Sequence, residues 1–250
     1  MSAALIRRLV PQRYRPIGYL THLVRERTGG RVRLGPFAGM RYVSNSIASA
    51  YLPKLLGTYE RELAHVLELA CARRPGLIVD IGAAEGYYAV GLALRNPTTR
   101  IIAFEELPEG RLALREMAIL NRVKEQIQIQ QRCEPANLRT TLACEQNALV
   151  ICDAEGDEER LLNPGAVPEL KCATILAEMH DFVHAGITEE IQRRFSATHK
   201  TETIWQQPRT HSDFPFRTIG TVLLPRSYLD WAVSEWRPVR MSWLWLQPYG

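Results

Sequence analysis

From about residue 59 onward, short apolar runs alternate with longer segments whose apolar positions recur every three or four residues. Leu77-Ile-Val, Ile101-Ile-Ala-Phe104 and Ala148-Leu-Val-Ile-Cys152 have the length and continuous hydrophobicity of strands covered on both faces. The spacing of Leu63, Val66, Leu67 and Ala70 predicts a helix over 59–72. The same reading gives strands at 77–81, 101–105, 127–131, 148–153, 173–179 and 202–206. It places helices at 86–95, 108–121, 157–162 and 188–198, with another short one between 131 and 148 and Thr188 as the N-cap of the last. Such alternation predicts a parallel α/β sheet. Ahead of it, 3–28 reads as helix interrupted by Pro11 and Pro16, with Leu5, Leu9, Tyr19, Leu20, Leu23 and Val24 on an apolar face, and 31–43 as a hairpin. Tyr228–Glu235 reads as a helix and Ser242–Gln247 as a final strand. The division expected is an N-terminal helical and hairpin extension, 1–56, followed by one sheet domain, 57–250.

Chemistry gathers where the runs stop. The first ends in Asp80-Ile-Gly82-Ala83-Ala84-Glu85-Gly86-Tyr87 and the second in Glu105, 19 residues beyond Gly86. A strand, a glycine turn, a helix and a second strand tipped by an acid form a nucleotide-binding half of a doubly wound sheet. Glycine lets backbone approach a ligand, and the acid accepts hydrogen bonds from ribose hydroxyls. A diphosphate-binding turn reads Gly-x-Gly-x-x-Gly. Here the spacing is Gly82-x-x-x-Gly86, and Glu85 places a carboxylate beside the amides a diphosphate would need. That arrangement disfavours NAD and suits a sulfonium and an ammonium, as in S-adenosylmethionine. Asp80, Gly82, Ala83, Glu85, Gly86, Tyr87, Glu105 and Asp153 are the candidate cofactor-binding residues.

A third acid-tipped run, Ala148 to Asp153, continues as Ala154-Glu155-Gly156-Asp157-Glu158. Together, Asp80-Ile-Gly82-Ala-Ala-Glu-Gly86-Tyr-Tyr, Ala103-Phe-Glu105 and Asp153-Ala-Glu-Gly-Asp-Glu158 resemble the FkbM-type family of S-adenosylmethionine-dependent methyltransferases. Gly57-Thr-Tyr59-Glu60 and Ile175-Leu-Ala-Glu178-Met-His180 are similar to further family segments, so the resemblance spans roughly residues 57–182. It departs at Ala84, where the family carries Asn. The resemblance implies a doubly wound, mostly parallel seven-stranded Rossmann-like sheet with its last strand antiparallel, and O-methylation of a saccharide or secondary-metabolite hydroxyl.

Methyl transfer to oxygen also needs a proton acceptor. Glu178 and His180 share a face of the fifth strand, beside Asp153. His180, Asp153 and Glu155 are the candidate catalytic residues, with His180 the general base because imidazole titrates nearest neutral pH. Glu155 is expected to accept from a substrate hydroxyl or to brace the turn. Glu158 is expected to cap or salt-bridge in the first turn of the next helix. No metal ligand is assigned; Asp153, Glu178 and Asp181 form an alternative set that would hold Mg²⁺. Gln206, Gln207, Arg209 and His211 sit at the same rim. Trp231, Trp236, Trp243 and Trp245 would stack on the acceptor or pack as core or lid.

Composition changes the picture in two places. Residues 1–60 hold ten Lys or Arg against two acids, and 61–250 hold twenty-one against twenty-five. The basic arm admits two further readings, a solvated helix or a surface for RNA or anionic lipid, and with RNA comes an RNA methyltransferase as the alternative activity. A non-catalytic cofactor-binding module is the third reading. Five cysteines without metal spacing favour a reducing cytoplasm. Charge interrupts the N-terminal apolar residues too early for a signal peptide, and no apolar run reaches membrane-spanning length, so no membrane span is expected. A small-molecule or glycan partner is what the family resemblance implies.

Overall fold

Seven strands form one sheet in the order β3-β2-β1-β4-β5-β7-β6. They are β1 (Leu77–Ile81), β2 (Arg100–Phe104), β3 (Ile127–Gln130), β4 (Ala148–Cys152), β5 (Thr174–Met179), β6 (His199–Trp205) and β7 (Ser242–Pro248). The computed structural model describes residues 15–43, 51–143 and 145–249. Strands β1 to β5 pair in parallel, and β7 runs antiparallel to both β5 and β6. The doubly wound, mostly parallel sheet expected from the sequence is present.

All residues of β1, β4 and β5 are buried, which is why their sequences are continuous apolar runs rather than alternating ones. The chain first builds outward through β1, β2 and β3, then returns to place β4 on the other side of β1. At such a reversal the two flanking connections diverge and leave a crevice at the carboxyl ends of β1 and β4. Val79, Val150, Ile175, Leu244 and Leu246 belong to one buried cluster that also takes in Leu161, Leu162, Ile191 and Phe195.

The described helices, in chain order, are α1 (Pro16–Thr28), α2 (Tyr51–Leu56), α3 (Ala64–Ala72), α4 (Tyr87–Arg95), α5 (Pro108–Leu120) and α6 (Pro135–Leu142). They continue with α7 (Glu158–Leu161), α8 (Ile187–Phe195), α9 (Ile219–Leu223) and α10 (Arg226–Val233). None is long and apolar enough to cross a membrane. The part of the 3–28 expectation that falls on residues 1–14, including Leu5 and Leu9, lies outside the described residues. Segment 31–42 turns back with a single antiparallel bridge, Arg31 to Arg41, so the expected hairpin is minimal.

Two boundaries differ from the sequence reading for identifiable reasons. Strand β6 begins at His199, inside a stretch that reads as polar. The His199 ring is buried, its Nε2 2.9 Å from the Ala173 carbonyl oxygen and its edge against Phe195. Helix α8 begins after a left-handed Gly186, not at an N-cap Thr188. Thr188 lies inside the helix, and its amide and hydroxyl both donate to Asp181.

Packing divides the chain into two units, residues 62–206 with 238–250, which carry the sheet, and residues 1–61 with 207–237. The sequence division at 56/57 assigned 207–237 to the sheet domain; the structure groups that segment with the first. Within this smaller unit Glu235 is buried, and its carboxylate receives Arg209 at 2.8 Å, Arg237 at 3.2 Å and the Glu60 amide at 3.1 Å. Arg237 also pairs with Glu60, and Arg209 donates to the Thr58 carbonyl.

Burial holds the His199 pKa below its ordinary value despite the Ala173 contact. The folded ring stays neutral while the unfolded one takes a proton near pH 6.5, so its stabilisation is full above that pH and fades below it. Urea titrations from pH 7.5 to 5.5 will therefore show a steeper loss in the wild type than in His199→Gln. In the smaller unit, Glu235→Ala leaves two guanidinium groups without their shared carboxylate and will cost about 3–5 kcal/mol by the same measurement.

Candidate functional site

The turn after β1 is shaped by what stands opposite it. Gly82 has a left-handed backbone, and a Cβ there would lie 1.7 Å from the Asp153 carbonyl oxygen. Only glycine fits, because both the conformation and the space exclude a side chain. The Gly82 and Ala83 amides both donate to the Phe104 carbonyl at 3.0 Å. Ala84 is also left-handed, an uncommon conformation for alanine, and its amide donates to Glu105 Oε2 at 2.8 Å. Gly86, left-handed again, is the N-cap of α4.

Glu105 is buried and works as a clasp. Oε2 holds Ala84 across the turn, while Oε1 accepts the Leu107 amide at 2.7 Å just ahead of α5. Gly110 comes so close that a Cβ would sit 2.7 Å from the Glu105 side chain. Each carboxylate oxygen offers two lone pairs, so one on each remains for a ligand hydroxyl. Asp80, Ala83 and Tyr87 are buried around the turn, and Glu85 is fully buried within it.

The second half of the site is an imidazole among acids. His180, directly after β5, is buried. Its Nε2 lies 3.5 Å from Glu155, 3.7 Å from Asp153 and 3.9 Å from Glu178, and its Nδ1 lies 3.0 Å from Glu158. The last contact is the shortest of the four. Burial alone would lower the His180 pKa; Glu158 first, then Asp153 and Glu155, outweigh it and raise the value above the ordinary one.

Glu158 is the residue the sequence reading misplaced. It is fully buried and folds back over its own turn, with Oε1 accepting the amides of Ala154 at 2.9 Å and Gly156 at 3.3 Å. The expected salt bridges are made by its neighbour Asp157, to Arg160 and Arg132. Hydrogen bonding from Arg160 holds the Asp157 carboxyl below the usual range. Bracing by Glu158 lets Glu155 and Gly156 take consecutive left-handed conformations. The Glu155 side chain is thereby left 74% exposed while its Oε2 still reaches His180. Glycine at 156 flanked by acids was the available signal, but inward folding of the second Glu has no periodicity to betray it.

Of the alternative metal set, Asp181 is turned to Thr188, where it caps α8, and so does not join Asp153 and Glu178. Asp153, Glu155 and His180 instead bring one donor atom each within 4.8 Å of one another, a mixed imidazole and carboxylate set able to take a divalent cation. Trp243 and Trp245 are buried in β7 and belong to the core, not to an acceptor platform. Trp231 and Trp236 pack edge to face on each other at 5.1 Å. Arg209 is engaged by Glu235, and His211 contacts Asp230 at 3.1 Å.

No family model matches this chain, and no curated protein does. Among solved structures it is similar to a precorrin-6y C5,15-methyltransferase from Geobacter metallireducens, with 12% identity over 74% of this chain and 88% of that one and a TM-score of 0.49. It is also similar to an O-methyltransferase from Streptomyces achromogenes involved in tomaymycin synthesis, in complex with SAM (14% identity, 81% and 88% covered, TM-score 0.45). A third is an O-methyltransferase from Bacillus cereus in complex with SAH (13%, 57% and 72%, TM-score 0.43).

Glu158→Ala removes the acceptor of two amides inside the turn and will lower unfolding free energy by about 2–4 kcal/mol. Glu158→Gln keeps an accepting oxygen and will lose distinctly less. Equal losses in chemical denaturation would show that the brace is not made through that oxygen.

Proposed function

We propose that this chain is an S-adenosylmethionine-dependent methyltransferase of the FkbM type that methylates a hydroxyl of a saccharide or secondary metabolite. The observation that carries the reading is the contact of Gly82 with the Asp153 carbonyl. It sets the glycine turn and its acid clasp beside a buried imidazole ringed by carboxylates, so that cofactor and acceptor chemistry share one crevice.

The residues fit the cofactor. The free lone pairs of Glu105 suit the two ribose hydroxyls, and the glycines at 82 and 86 let the turn close tightly against Asp153 and Leu114, which shapes the loop beside Ala83 that would meet a nucleoside. Asp80, Glu85 and Asp153 supply carboxylates that complement a ligand carrying ammonium and sulfonium charge, and Tyr87 completes the set. The cofactor supplies an electrophilic methyl group to an oxygen nucleophile.

The chain's own part is to make the acceptor oxygen nucleophilic. His180 Nε2 faces Asp153 and Glu155 and takes the proton that the acceptor hydroxyl loses. The same carboxylates that raise its pKa stabilise the resulting imidazolium, which strengthens it as a base. Glu155, exposed on the open side, accepts from a neighbouring hydroxyl of the acceptor and orients it. Glu158 fixes the ring from the Nδ1 side. Among the described residues Cys71, Cys133, Cys152 and Cys172 are unbridged, which supports a cytoplasmic location. Burial pushes the Cys133 thiol up to about 12, consistent with an inert core residue.

Calorimetric titration tests the cofactor. S-adenosylmethionine and S-adenosylhomocysteine should bind and NAD should not. Glu105→Ala should weaken binding by about 1–3 kcal/mol, the worth of hydrogen bonds to a buried charged group. NAD binding in preference to both would remove the reading. On a panel of hydroxylated saccharides and polyketides, His180→Asn should retain cofactor affinity while turnover falls by about 10²–10⁴-fold. Unaltered turnover in that variant would take His180 out of the proton transfer.

A further inference from the structure

Helix α9 turns its apolar side chains outward while being held rigidly from below. Thr218 caps it, accepting from the Thr221 amide at 3.1 Å, and Thr218 itself contacts the Tyr19 hydroxyl at 2.8 Å. Thr221 is buried, and a Cβ on Gly220 would strike the Tyr19 hydroxyl at 2.5 Å, so both residues face inward, Gly220 against α1. What remains outside is Ile219, Val222 and Leu223, exposed by 83%, 73% and 77%. Scattered exposed aliphatics are ordinary, but three on one braced turn form a patch that marks a contact surface.

The charge around the patch indicates what it meets. Arg217 and Arg226 flank α9 in sequence and are exposed. Arg33 stacks over Phe216 at 5.5 Å, adding a third cation beside Arg217. The unit that carries α9, residues 1–61 with 207–237, holds fifteen Lys or Arg against five Asp or Glu. Aliphatic side chains amid cations match an anionic bilayer, whose headgroups attract the arginines while the boundary beneath accepts the aliphatics. A nucleic acid would use the arginines but has no place for Ile219, Val222 and Leu223, which offer no ring for a base to stack on.

We propose that this face docks the protein on an anionic lipid surface through Ile219, Val222 and Leu223, with Arg217, Arg226 and Arg33 as electrostatic support. The proposal goes beyond the methyltransferase reading and does not depend on it.

Co-sedimentation of the full chain with vesicles tests it. Vesicles of phosphatidylcholine with phosphatidylglycerol should bind the protein, vesicles of phosphatidylcholine alone should not, and raising salt should release it. The triple variant Ile219→Ser, Val222→Ser, Leu223→Ser should bind at least about tenfold more weakly with an unchanged circular dichroism spectrum. Arg217→Ser with Arg226→Ser should weaken binding and flatten its salt dependence. Absence of binding to the anionic vesicles, or equal binding by the triple variant, overturns the proposal. So does retention of single-stranded RNA without vesicle binding, or a wild-type dimer that the triple variant abolishes. S-adenosylmethionine titration of the same samples reports separately on the cofactor reading.

Discussion

One steric exclusion organises the site: there is no room for a side-chain carbon between the turn after β1 and the carbonyl of Asp153. β1 and β4 are already parallel neighbours, with Ile81 opposite Cys152, and the Asp153 amide extends the ladder by donating to the Ile81 carbonyl. The close approach therefore continues regular pairing past the strand ends into the two loops.

Charge around His180 is arranged in depth. Glu158 and Glu178 are buried, Asp153 is partly exposed, and Glu155 reaches out to solvent. Burying like charges is costly unless a cation or a proton is shared among them. The imidazole is the shared group here, which is why its basicity rises although it is buried. The arrangement favours binding events that add positive charge or deliver a proton on the open side.

The sheet was legible because its central strands are buried on both faces and their apolar runs are unbroken; β1, β2 and β4 fall within one residue of their expected bounds. Glu105 was legible for a similar reason, since its offset from the glycine turn follows from the length of one crossover. Where tertiary contact overrides local preference, the sequence misled. His199 enters a strand because its ring finds the Ala173 carbonyl, and Thr188 yields the helix start to Gly186 because Asp181 captures it. Glu158 read as a surface cap because nothing local announces a carboxylate that folds inward onto its own turn. Segment 207–237 lacks strong periodicity, and it joins residues 1–61 through partners far apart in sequence, among them the ion pairs of Arg209, Arg237, Glu60 and Glu235 and the contact of Tyr19 with Thr218.

Ala84 has a consequence for how the pocket comes into being. Asparagine enters the left-handed region readily, whereas alanine resists it. A detached peptide of this sequence would thus avoid the shape that the loop holds in the finished protein. The bend depends on the Glu105 carboxylate at the end of the neighbouring strand, which ties the shape of the crevice to the pairing of β1 with β2.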